Sequence, residues 1–235
     1  MTNTKKLLND YGAIRWTALV LIALMMFFAY MFVDVLSPLS TLLETSKGWT
    51  AETYGTFCSS EYFLNVFAFF LIFAGIILDK MGIRFTGILS GAVMVIGASI
   101  KLYAISDLFT PDNALYQFLN SFWTSFPATA KLASLGFMIF GCGVEMAGVT
   151  VSKAIAKWFK GKEMALAMGL EMAIARLGVA AVFRLSPALS TWANEAMPTV
   201  VTPVLFCTIL LMIGLITYTV FTLMDKKLDR QMGEV

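Results

Sequence analysis

No histidine occurs anywhere in this 235-residue chain. Its absence removes imidazole acid–base catalysis and the commonest metal ligand together. Charge is scarce as well: Asp, Glu, Lys and Arg make up 14% of the residues against 59% hydrophobic types. A soluble domain of this size carries roughly 25% charged residues, so composition and a mean hydropathy of +0.80 put the chain in lipid. A net charge of +2 offers nothing to nucleic acid. No GxxxxGK[ST] phosphate loop is present. Cys58, Cys142 and Cys207 fall in separate apolar segments without CxxC spacing and read as buried, unpaired thiols. No metal or cofactor is expected, and no enzyme activity: an aspartyl protease needs two acids at membrane depth, and Asp34 is the one aspartate found there.

What is present is apolar length. A membrane helix needs about 20 largely apolar residues, and the sequence predicts six such spans at 17–37, 53–78, 86–105, 132–156, 164–189 and 200–224. The first reads as a retained helix, since its polar leader is long and no A-x-A cleavage site follows it. The loops distribute Lys and Arg unevenly. Eleven (Lys5, Lys6, Arg15, Lys80, Arg84, Lys157, Lys160, Lys162, Lys226, Lys227 and Arg230) fall on one side, and three (Lys47, Lys101 and Lys131) on the other. The excess marks the cytoplasmic side, so both termini are expected there, in a bacterial inner or plasma membrane.

The few charges inside the spans sort the helices. Asp34, Glu61, Glu145, Lys153, Glu171, Arg176 and Arg184 all lie in spans one, two, four and five. Ions in hydrocarbon cost several kcal/mol (about 2.5–3.5 on insertion scales) and turn toward a bundle interior or an aqueous cavity. Spans three and six, nearly free of charge, are expected to face lipid. The pattern repeats every three spans, and an odd number inverts the second triplet. The fold class is therefore an all-α membrane bundle of two inverted three-helix repeats.

Glu145 and Arg176 stand out. Each lies about 18–20 Å into its span at 1.5 Å rise per residue, so both reach the midplane on consecutive antiparallel helices. Two readings stay open: a structural ion pair, or a site in which Glu145 meets an ammonium and Arg176 forks onto a carboxylate. Small residues flank both, including Gly141, Gly148, Ala173 and Gly178. Asp34 and Glu61 lie in the outer halves of their spans, with Tyr30 and Asn65 one turn away on the same faces. Glu171, Lys153 and Arg184 read as rim or snorkelling groups. The GILSG stretch, Gly87 to Gly91, predicts close helix packing within the chain.

The stretch GIILDKMGIR resembles the signature loop of the major facilitator superfamily. Gly75, Asp79, Lys80, Gly82 and Arg84 match, and Ile83 departs from the usual basic residue. The resemblance implies a gating loop whose aspartate links the two halves of a transporter on the cytoplasmic side. WFKGKE at 158–163, followed by Gly169, Leu170, Ala175, Arg176 and Gly178, is similar to the lysosomal dipeptide-uniporter branch of that superfamily, and FGCGVEMAGV places Glu145 on its intramembrane glutamate. AYMFVDVLSP, with Asp34 and Pro38, is similar to its first-span motif at looser spacing. Glu171 stands where that branch has glutamine. Phe137 stands where many superfamily members carry arginine.

The resemblance implies that residues 1–235 are the N-terminal six-helix half of a twelve-helix transporter. The tail from Met224 would open a central linker, and a C-terminal six-helix half, in cis or as a separate chain, would be the partner. It further implies alternating-access transport of a small zwitterionic solute, short peptide or amino-acid-like, bound through Glu145, Arg176, Asp34, Glu61 and Tyr30. Two alternatives remain at this point: a self-contained six-span protein working as a homodimer, and a non-transporting membrane scaffold.

Overall fold

The computed structural model describes residues 6–233; Lys5, counted above, and the last two residues of the tail lie outside them. Among the described residues the chain is helical with no strand. Among those residues five long segments are apolar enough to cross a membrane: Gly12–Lys47, Phe70–Ile105, Ala128–Trp158, Met164–Thr191 and Val201–Met232. Their backbone groups bond within each helix, as hydrocarbon demands. The eight α-helices are α1 (Gly12–Val33), α2 (Ser40–Lys47), α3 (Ala51–Phe67), α4 (Phe70–Ile105), α5 (Ala114–Asn120), α6 (Ala128–Trp158), α7 (Met164–Thr191) and α8 (Val201–Met232).

Local chemistry sets the ends. Thr50 caps α3 by accepting from the Thr53 N–H, and Asn113 caps α5 by accepting from the Leu115 N–H. The stretch 53–78 is helical in two pieces. α3 stops at Phe67, Phe69 takes a left-handed conformation (φ 51°), and α4 begins at Phe70. α4 is itself broken at Gly82 (φ 76°, ψ 172°), a geometry in which any side chain is strained. That break separates the apolar stretch ending near Leu78 from the one that follows Arg84.

α6 packs along α3 and α4, while α1 packs between α7 and α8, and α4 also meets α8. Small residues make these approaches possible. A Cβ on Gly97 would stand 2.4 Å from the Phe140 nitrogen and 2.5 Å from the Gly136 oxygen, so α4 and α6 touch backbone to backbone. Gly141 meets the Glu61 carbonyl, and Gly178 meets the Phe27 carbonyl, in the same way. The GILSG pair serves α4 against α8: Gly87 receives the Tyr218 ring and Gly91 the Leu215 side chain.

Span three therefore does more than face lipid. Its inner side is buried against α6 and α8, and from it Lys101 enters the bundle with no exposed surface. The reason is positional: Lys101 falls on the same face as Gly97, Met94 and Ser90, one turn or more above them. Cys58, Cys142 and Cys207 are free thiols.

Candidate functional site

α1, α6 and α7 together wall an open groove of about 420 Å³. Tyr30 comes from α1, Glu145, Gly148 and Ser152 from α6, and Glu171 and Arg176 from α7. The helical spacing explains the selection. Glu145, Gly148, Val149 and Ser152 share one face of α6, and Glu171, Met172, Ala175 and Arg176 share one face of α7. Gly148 has no neighbour within 4 Å of a built Cβ, so the wall is open at that point.

The chemistry of the groove is mixed in sign. Arg176 lies over the Tyr30 ring, with Cζ 5.2 Å from its centroid. Glu145 and Arg176 line the same groove without an ion pair within 4.0 Å, and none of the ion pairs among the described residues involves either. Glu145 is half-buried and Arg176 exposed. A carboxylate and a guanidinium held apart on facing helices leave both free to engage a third molecule carrying the opposite charges.

Of the five side chains expected at a solute site, Glu145, Arg176 and Tyr30 meet in this groove; Glu171, read as a rim group, joins them, 7% exposed. Asp34 and Glu61 do not line it. Asp34 ends α1 and accepts from the Ser37 hydroxyl at 3.1 Å, which in turn accepts from Tyr54 at 3.1 Å. Glu61 is 6% exposed, with its backbone pressed on Gly141 of α6.

The signature-loop residues form a separate constellation around the Gly82 break. Asp79 accepts from Lys153 of α6 at 2.6 Å. Arg84 donates to Asp229 of α8 at 2.9 Å and lies 3.7 Å from Asp225. Lys157 donates to Asp225 at 2.9 Å and also to Asp229, and the Trp158 indole N–H reaches Asp225 at 3.0 Å. Gly75 is helical and Lys80 is exposed. Asp225 has no exposed surface. This buried carboxylate was missed in the sequence because residues 224–232 read as linker. The signal was there: Asp225 and Asp229 are one turn apart on one face of α8, as Lys153 and Lys157 are on α6.

A clasp closes the same end. Arg15 donates to Glu163 at 2.9 Å, and Lys162 donates to Asp10 at 2.9 Å. The Lys162 hydrogen bond, with help from the Leu7 N–H, holds Asp10 below the usual carboxylate range. Glu163 is also held low, first by a backbone N–H and then by Arg15.

The chain is similar to the lysosomal dipeptide transporter MFSD1 of Bos taurus, 32% identical over 107 residues covering 45% of this chain and 19% of that protein. The Mus musculus protein is 32% identical over 115 residues, covering 48% and 20%, and the Gallus gallus protein 38% identical over 65 residues, covering 28% and 13%. The matched segment thus spans about a fifth or less of each relative's length. No solved structure matches. The sequence profile of the Major Facilitator Superfamily matches residues 22–232. With that profile covering nearly the whole helical bundle, the chain belongs to the Major Facilitator Superfamily.

Proposed function

We propose that this bundle is one half of an alternating-access transporter, and that its solute is small and zwitterionic, a short peptide or an amino-acid-like molecule. The observation that carries the reading is the groove between α1, α6 and α7, where Glu145 and Arg176 face shared space without pairing to each other. In this reading Glu145 receives the solute's ammonium, and Arg176, steadied by the Tyr30 ring, receives its carboxylate through a planar fork. Glu171 adds a second acceptor for the amino end. The groove is open, and in this reading a second bundle would complete it. A volume of about 420 Å³ suits a ligand of this size. The similarity to dipeptide transporters supports peptides over other zwitterions.

In the alternating-access reading the cytoplasmic charge network holds α4, α6 and α8 together as one body, so that the bundle rocks as a unit. In this reading Asp79 and Lys153, the exposed pair beside it, exchange partners with a second bundle.

The test is counterflow of a labelled dipeptide by the reconstituted product of the complete gene. Unlabelled dipeptide should compete, while the same dipeptide acetylated at its amino end or amidated at its carboxyl end should compete poorly. Equal competition by all three would show that the ends are not read, and would remove Glu145 and Arg176 from the site.

A further inference from the structure

Lys101 is the least expected side chain in the bundle. It is fully buried, and its ammonium lies 4.2 Å from the Phe137 ring centroid, 4.4 Å from that of Phe32 and 5.1 Å from that of Phe57. The three rings come from three different helices, and Phe57 and Phe137 stack on each other with centroids 4.8 Å apart. Among the described residues the one hydrogen-bond acceptor of the ammonium is the Phe32 carbonyl at 3.5 Å, at the negative end of α1. Among the described residues no carboxylate lies within ion-pair distance of it. Ring faces and the helix end suit a cation, yet a buried cation without a counter-ion is costly.

The acid that compensates it most is Glu61. It follows Phe57 by one turn on α3, and its carbonyl and Cγ rest on Gly141, which follows Phe137 by one turn on α6. Glu61 therefore sits one turn, about 6 Å, below the cage along both helices. One turn further on α6 is Glu145 of the groove. The order along α6 is cage, Glu61, Glu145: a cation and then two acids. The other titratable groups that face the pair are Asp34 at the end of α1, Cys58 and Tyr62 on α3, and Cys207 on α8. None of these is a second cation.

We propose that Lys101 is a positioning residue which, from its aromatic cage, sustains Glu61 as a carboxylate and so couples binding of the solute's ammonium at Glu145 to the proton occupancy of Glu61. The inference rests on the zwitterion reading of the groove. Its physics is a field effect. An ionised Glu61 makes the region around Glu145 more negative and favours an ammonium there. When Glu61 takes a proton from solvent that extra attraction goes, and the ammonium is held less tightly. Lys101, stabilising the ionised acid from one turn away, sets the pH at which the change occurs.

The experiment measures dipeptide affinity against pH for the product of the complete gene, with melting temperature as a control for folding. Lys101→Met fills the cage with an apolar chain of similar length. It should move the acid limb of binding to higher pH by about one unit or more. Lys101→Arg, which keeps the charge, should leave the limb near its original position. In a Glu61→Gln background, Lys101→Met should no longer move it. A limb unmoved by Lys101→Met, or moved equally with and without Glu61, overturns the inference while leaving the solute reading intact. A protein that binds no dipeptide at any pH overturns the solute reading, and this inference with it.

Discussion

Removing the charges of Glu145 and Arg176 separates a solute site from a helix-pinning ion pair. The structure sets the magnitudes. The two groups share a groove but no ion pair, and Arg176 is exposed. The stability that Arg176 contributes is then mainly its contact with the Tyr30 ring, about 0.5–1 kcal/mol at an exposed position. Losing a charged partner from a desolvated ligand contact costs about 2–5 kcal/mol, which is roughly thirty-fold to a few thousand-fold in affinity at about 1.4 kcal/mol per decade. Glu145→Gln and Arg176→Met should thus each lower dipeptide affinity far more than they lower melting temperature. Arg176→Lys keeps the charge and the ring contact but loses the fork, so it should also bind poorly. The assay is equilibrium dipeptide binding and thermal unfolding for both single variants and the double variant. A structural pair behaves oppositely: each single change leaves an unpaired buried ion, and the double change restores stability. Large losses of stability in the singles, recovered in the double together with near-normal transport, would refute the reasoning.

Four further outcomes are expected. Gly97→Val places a side chain against the Phe140 backbone, and the close α4–α6 contact should open at a cost of about 1–3 kcal/mol or more, read as a fall in melting temperature. Asp225→Asn removes the buried charge that Lys157 and Trp158 share. It should cost about 3 kcal/mol, at the lower end for a broken buried pair because Lys157 and Arg84 retain Asp229. The Asp10 and Glu163 carboxylates are held below their ordinary values, so their contribution is present above about pH 4 and fades as pH falls through the lowered values. A spin-label distance from Asn9 to Lys160 should accordingly stay short at pH 5 and lengthen below pH ~3. Single cysteines at Gly12 and Gly233 should both be shielded from an impermeant thiol reagent in intact cells, and labelling of either from outside would reverse the orientation drawn from the loop charges.

The apolar length of the segments, the sparse charges within them and the DKMGIR loop were enough to read the chain as an all-α membrane bundle and to single out its family. Lipid leaves few choices: backbone groups must bond internally, and an ion inside a span must turn inward. That is why Glu145 and Arg176 were legible as cavity residues from sequence, and why Tyr30 could be added through its place on α1. Other features depend on which helices meet. Whether Glu145 and Arg176 would touch or stay apart turned on the separation of α6 from α7, which no single helix encodes. Asp225 read as linker until α8 carried it beneath Lys157 and Trp158. Lys101 read as an outer-loop cation, because its cage is assembled from Phe32, Phe57 and Phe137, far apart in the chain. Periodicity within one helix orients a side chain, but its counter-ion or ring partner comes from another helix, and only the packed bundle brings the two together.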